Sequence, residues 1–136
     1  MLCDTTIVSS IFGVDGRARL IEMHRSSAVR AVSVITVGEV RFGQIRARWG
    51  QERRRALDDH LRTYVALAID ESVADVWARL RQRCLELGRA KRDNDLWIAA
   101  TAKRYGLPLA TLDRDHHDIP GITVIRDDGS EVTTPE

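Results

Sequence analysis

Four carboxylates stand out by their surroundings: Asp4 in "MLCDTTIV", Glu39 in "ITVGEV", Asp95 in "KRDNDLWIAATAKRYG" and Asp113 in "LPLATLDRDHHD". Each has an ordinary structural explanation. Glu39 stands three residues after Thr36, the spacing of a capping box in which two side chains satisfy first-turn amides. Asp93, Asn94 and Asp95 lie where a helix N-cap is expected, because a side-chain oxygen there accepts from free N–H groups and complements the helix dipole. Asp113 and Asp115 suit a turn. Asp4 is harder to dismiss. It interrupts what reads as a buried strand, and a buried charge without a partner is strongly disfavoured.

The chemistry follows if the fold gathers all four. At separations of about 6 Å, adjacent carboxylates repel by roughly 3 kcal/mol at an effective dielectric near 20. Several such terms rival a domain's whole stability of about 5 to 15 kcal/mol. Either protons, through raised pKa values, or hard divalent cations that prefer carboxylate oxygen must offset them. The second remedy equips a phosphodiesterase, since a divalent cation lowers the pKa of water and a second stabilises a leaving oxygen.

Which elements could bring these positions together? "LCDTTIV" reads as a short buried strand and positions 15–25 as a helix. "AVSVI" is a second β-branched run, and a helix capped at Thr36 continues through "VRFGQIRARW". Another helix is expected over 51–64, then a strand in "VALAI". Val73, Val76, Trp77, Leu80, Cys84 and Leu87 recur at helical spacing, with Gly88 as a stop. A helix from Asn94 or Asp95 to Tyr105, the strand "LPLAT" and a last strand in "GITVI" complete the pattern. Alternating strands and helices predict an α/β fold, a central parallel sheet flanked by helices, whose functional crevice lies at the carboxyl ends of the strands. All four acids are expected at those ends. The 136 residues read as one domain, with 126–136 a polar, frayed tail.

Composition narrows the partners. With 21 basic and 20 acidic residues, bulk charge requires neither nucleic acid nor membrane, so a nucleic-acid partner would need a local patch. Cys3 and Cys84 lie in apolar patterns without metal-ligand spacing, which predicts buried thiols in a reducing, cytoplasmic setting. The opening "MLCDTTIVSSIF" lacks the basic flank of a signal peptide, and no run reaches membrane-span length.

The segments "MLCDTTIV", "ITVGEV" and "NDLWIAATAKRYGLPLATLDRDH" resemble the successive motifs of the PIN domain, most closely the toxin half of VapBC-type toxin–antitoxin pairs. The resemblance spans about 1–125. It implies a three-layer nuclease fold, endoribonuclease activity dependent on Mg2+ or Mn2+, an RNA substrate, homodimerisation, and inhibition by a small VapB-like antitoxin whose C-terminal segment crosses the active-site groove. The family's acidic quartet falls on Asp4, Glu39, Asp95 and Asp113 as metal ligands, and its hydroxyl residues on Thr6 and Thr111, which would hold carboxylates or waters in place. Asp93 departs from the family pattern, which has a small or apolar residue there.

RNA must be drawn to a pocket that is itself acidic. Arg41, Arg89, Lys91, Arg92 and Arg114, close in sequence to the four acids, are expected to form a positive rim for flanking phosphates. Arg53, Arg54 and Arg55 read as one solvated face. Adjacent His116 and His117 point in different directions on most backbones, so they read as loop residues, and His24 and His60 as surface residues. Trp49, Trp77 and Trp97 read as core or interface. At 5% of residues, aromatics are too few for extensive base stacking. Val40, Phe42, Ile45, Trp49, Leu57 and Leu61 exceed what one small sheet needs to cover, which suggests a protein contact. Two other readings compete: a catalytically silent PIN-like interaction module, and a two-component receiver domain. The receiver would want a lysine after a late strand, and neither Lys91 nor Lys103 follows one.

Overall fold

The computed structural model describes residues 1–10, 23, 24, 26 and 29–136. Their strands are β1 (Leu2–Cys3), β2 (Ala31–Ser33), β3 (Val65–Leu67), β4 (Leu109–Ala110), β5 (Thr123–Ile125) and β6 (Glu131–Thr133), in the spatial order β3-β2-β1-β4-β5-β6. The first five run parallel, and β6 pairs antiparallel with β5. Because side chains alternate across a strand, each of the central strands β2, β1, β4 and β5 feeds two cores. Leu2, Ala31, Leu109 and Val124 face one layer; their neighbours Cys3, Val32, Ala110 and Ile125 face the other. Burial on both sides explains why these strands read as continuous apolar runs.

Helices cover both faces. The second core is closed by α1 (Thr5–Ser10), α2 (Val34–Arg46) and α3 (Gln51–Leu61), through Ile7, Val8, Val40, Leu57 and Leu61. The first is closed by α4 (Glu71–Glu86) and α5 (Asp93–Arg104). Ala99, Ala100 and Ala102 let α5 lie close on the sheet, and Trp97 stacks on Trp77 of α4 with ring centroids 4.6 Å apart. Gly88 and Gly106, at φ +66° and +63°, end α4 and α5 in the left-handed conformation that a side chain resists.

Chain order reverses between β1 and β4: β1 leads to β2 and β3 on one side, whereas β4 leads to β5 on the other. A crevice opens at the carboxyl ends of the strands at such a point. Asp4 follows β1 directly, its N–H donating to the Ala110 carbonyl of β4 at 3.1 Å.

Several expectations need correction. "LCDTTIV" is not one strand: extension stops at Cys3, and Asp4 caps α1 by accepting from the Ile7 N–H at 3.1 Å. α2 begins at Val34 with Ser33 as its cap, the Ser33 hydroxyl accepting from the Ile35 N–H, so Thr36 and Glu39 form no capping box and Glu39 lies in the second turn. α5 is preceded by Arg92, and none of Asp93, Asn94 or Asp95 caps it. α3 ends at Leu61, short of Tyr64. The tail is not frayed throughout, since β6 extends the sheet and Glu136 pairs with Lys103 at 2.8 Å. His24 is wholly buried rather than on the surface, 2.5 Å from the Tyr64 hydroxyl, and His60 is half-buried beside the same hydroxyl at 3.0 Å. Most of the helix expected over 15–25 lies outside the described residues. Both cysteines are buried free thiols, as expected.

Candidate active site

Asp4, Glu39, Asp95 and Asp113 all line one cleft of about 440 Å3 at the reversal point. Each arrives on a different element: Asp4 between β1 and α1, Glu39 on α2, Asp95 in the first turn of α5, and Asp113 after β4, where it caps a 3-10 turn (Arg114–His116).

Asp4 lies at the floor, 1% exposed. Thr6 donates to its Oδ1 at 2.6 Å, and Thr111 donates to its Oδ2 in a short hydrogen bond. Both hydroxyls are in turn held by backbone: the Leu112 N–H donates to Thr6 Oγ1 and the Asp113 N–H to Thr111 Oγ1, each at 2.9 Å. Thr6 beside Asp4 and Thr111, 107 positions along the chain from it, thus fix the plane of one carboxylate. Burial raises the Asp4 pKa; His116, then the Thr111, Thr6 and Ile7 hydrogen bonds, oppose that rise. Burial also raises Asp95, against His116 and Arg92, while Asp113 and Glu39 add to the rise by repulsion. Two carboxylates are therefore held reluctant to ionise, the state in which a hard cation is most welcome.

Two residues that line the cleft escaped the sequence reading. Thr5 donates to Glu39 Oε1 at 2.6 Å and lies 3.3 Å from the Thr36 hydroxyl, so it orients Glu39. The run Asp-Thr-Thr carried that signal, but only one of its hydroxyls was assigned a role. His116 is 2% exposed and lines the cleft, with Nδ1 3.8 Å from Asp4 Oδ2 and Nε2 3.7 Å from Asp95 Oδ1. The two adjacent histidines do diverge, His117 lining a separate hollow beyond Asp113, but divergence sends one of them inward. Among the described residues, Asp95, Asp113 and His116 offer candidate metal-ligating atoms all within 4.8 Å of one another.

The basic rim is smaller than expected. Arg92 lines the cleft, 3.5 Å from Asp95 and 4.0 Å from Asp115. Arg41 instead pairs with Asp58 at 2.9 Å. Arg89 and Lys91 converge on Asp118, Lys91 at 2.5 Å with a side chain only 11% exposed. Arg114 borders the second hollow with His117. Asp93 borders the cleft and pairs with Arg81. Of the apolar residues expected on a contact surface, Val40, Leu57 and Leu61 belong to the core and Trp49 packs against it under the Arg53 guanidinium; Phe42 and Ile45 remain exposed, at 61% and 63%.

A family model described as the PIN domain matches residues 1–122. Ribonuclease VapC4 of Mycobacterium tuberculosis is 35% identical over 96 residues, covering 69% of this chain and 74% of that protein. Ribonuclease VapC5 of the same organism is 39% identical over 93 residues, covering 67% and 69%. Among solved structures, VapBC-5 from Mycobacterium tuberculosis, a member of the VapBC family of toxin–antitoxin systems, is similar with a TM-score of 0.74 at 31% identity, over 92% of this chain and 96% of that one.

Proposed function

The chain belongs to the PIN-domain family, and we propose that it is a divalent-cation-dependent endoribonuclease, the toxin of a VapBC-type toxin–antitoxin pair. Its relatives are ribonucleases, and the observation that carries the metal-dependent reading is the meeting of Asp4, Glu39, Asp95 and Asp113 in one cleft. The residues fit Mg2+ or Mn2+: the donors are hard carboxylate oxygens, and burial disfavours the charge of Asp4 and Asp95. When bound, such an ion lowers the pKa of water and offsets charge at the scissile phosphate.

The chain's own groups do the rest. Thr6 and Thr111 hold Asp4 in a single orientation, and Thr5 holds Glu39. All three hydroxyls are committed to orienting carboxylates, and in this reading the attacking group is water. Arg92 at the edge of the cleft receives a flanking phosphate, and with few aromatics the strand is read through its backbone and shape. Phe42 and Ile45, exposed on α2, suit a contact with a second copy or with an antitoxin. An antitoxin segment that reaches the four acids would carry Arg or Lys, since a fixed cation competes with metal for them.

The family assignment sets aside the receiver alternative. A catalytically silent module is separated by experiment: purified protein is incubated with total RNA and Mg2+ or Mn2+, and cleaved ends are mapped against a chelated control. Cleavage that needs the metal and is blocked by a co-expressed neighbouring product of under about 100 residues supports the whole reading. Folded protein that leaves RNA intact with either ion overturns it.

A further inference from the structure

His116 is not explained by holding carboxylates alone. Its ring is 2% exposed, and its Nε2 faces the cleft without a hydrogen-bond partner. The other ring nitrogen, Nδ1, lies 3.5 Å from the Thr111 hydroxyl, which itself donates to Asp4 Oδ2. Asp95 Oδ1 stands 3.7 Å from Nε2, beyond hydrogen-bond reach, and Asp113 joins the two to place ligand atoms within 4.8 Å of one another. Two ligand bonds of about 2.1 Å, by contrast, allow donors up to about 4.2 Å apart.

We propose that His116 ligates the metal through Nε2, together with Asp95 and Asp113, making this an imidazole–carboxylate site that favours first-row ions such as Mn2+ over Mg2+. The proposal rests on the metal-dependent reading above and extends it to the donor set. Mg2+ seeks an all-oxygen octahedron, whereas a nitrogen donor gains affinity with transition ions. A ligating histidine usually has its second nitrogen beside a polar partner, and His116 Nδ1 lies 3.5 Å from the Thr111 hydroxyl.

Pulsed electron paramagnetic resonance on the full chain loaded with Mn2+ tests this without reference to activity. Wild type should show 14N modulation from a directly bonded imidazole, converted to the 15N pattern when histidine is isotopically labelled. The modulation should vanish in His116→Gln and persist in His117→Gln. By calorimetry, His116→Gln should lose about tenfold or more in Mn2+ affinity, with Mg2+ affinity changed by less than about threefold. The wild-type spectrum decides the matter even if a variant misfolds. Bound Mn2+ with no 14N modulation, or modulation that survives in His116→Gln, overturns the ligand assignment and leaves the carboxylate site standing. Folded protein that binds neither ion overturns both.

Discussion

Asp4 and Asp70 begin helices in the same way. At Asp4, the Thr6 hydroxyl and the Ile7 N–H donate to Oδ1 at 2.6 and 3.1 Å; at Asp70, the Ser72 hydroxyl and the Val73 N–H do so at 2.6 and 3.0 Å. Both stretches read Asp, any residue, hydroxyl, aliphatic. Yet burial raises the pKa of Asp4, whereas at exposed Asp70 the bonds from Ser72 and Val73 prevail and lower it. The cause is position in the sheet. Asp4 follows β1, flanked by β2 and β4, while Asp70 lies just beyond β3 on the sheet edge. A capping motif becomes a candidate metal ligand only where neighbouring strands bring other acids to it and shut out water.

The sharpest way to break this pairing is to remove each charge in turn. Asp4→Asn should cut RNA cleavage by more than about a hundredfold, beyond the 10- to 100-fold typical of losing an outer partner. Its metal-free melting temperature should stay the same or rise, because mutual repulsion falls. Asp70→Asn keeps a competent cap and should leave cleavage unchanged. Equal activities in the two variants would mean that Asp4 is only a cap.

A finer cut leaves Asp4 in place and removes what orients it. Thr111→Val preserves shape at a fully buried site but deletes the hydroxyl that donates to Asp4 Oδ2 and lies beside His116 Nδ1. Cleavage should fall by about 10- to 100-fold, with weaker metal binding measured by calorimetry. An active Thr111→Val enzyme would show that burial alone positions Asp4.

Metal also separates the two aspartates through stability. An ion that binds only the folded state adds about 2.7 kcal/mol at a hundred times its dissociation constant. Thermal melts with Mg2+ or Mn2+ should show this gain in wild type and Asp70→Asn, and lose most of it in Asp95→Asn.

The same contrast explains what was legible in the sequence. β-branched runs, helical spacing and stop glycines placed most elements, because those signals are local. The four acids were legible as anomalies, Asp4 above all, since a charge in an apolar run needs a reason. The local role of three was misread: Asp4 caps a helix within the supposed strand, Ser33 rather than Thr36 caps α2, and Arg92 precedes α5, whereas Asp113 does sit in the expected turn. His116, and the pairing of Arg41 and Lys91 with Asp58 and Asp118, depend on which loops meet in space, and spacing along the chain carries no trace of that.

The smallest effect is the slope of stability with pH, and there the two aspartates should pull in opposite directions. The folded pKa of Asp4 lies above its ordinary 3.8, so the folded state holds the proton more tightly than the unfolded chain does. Stability should therefore fall as pH rises from about 3.8 toward the folded value. Asp70 is shifted below 3.8, so its contribution is present above that pH and is lost as pH falls through the folded value. In chelator, denaturant melts across acidic pH should show Asp4→Asn removing part of the loss on the rising side, with the rest belonging to Asp95, which is raised as well. Asp70→Asn should remove part of the loss on the falling side. Saturating Mg2+ should reverse the first slope alone, because a cation competes with protons for Asp4 and Asp95, which share one cleft, whereas Asp70 is an exposed cap outside it. A wild-type slope that Mg2+ leaves untouched would mean that the buried carboxylates meet no metal.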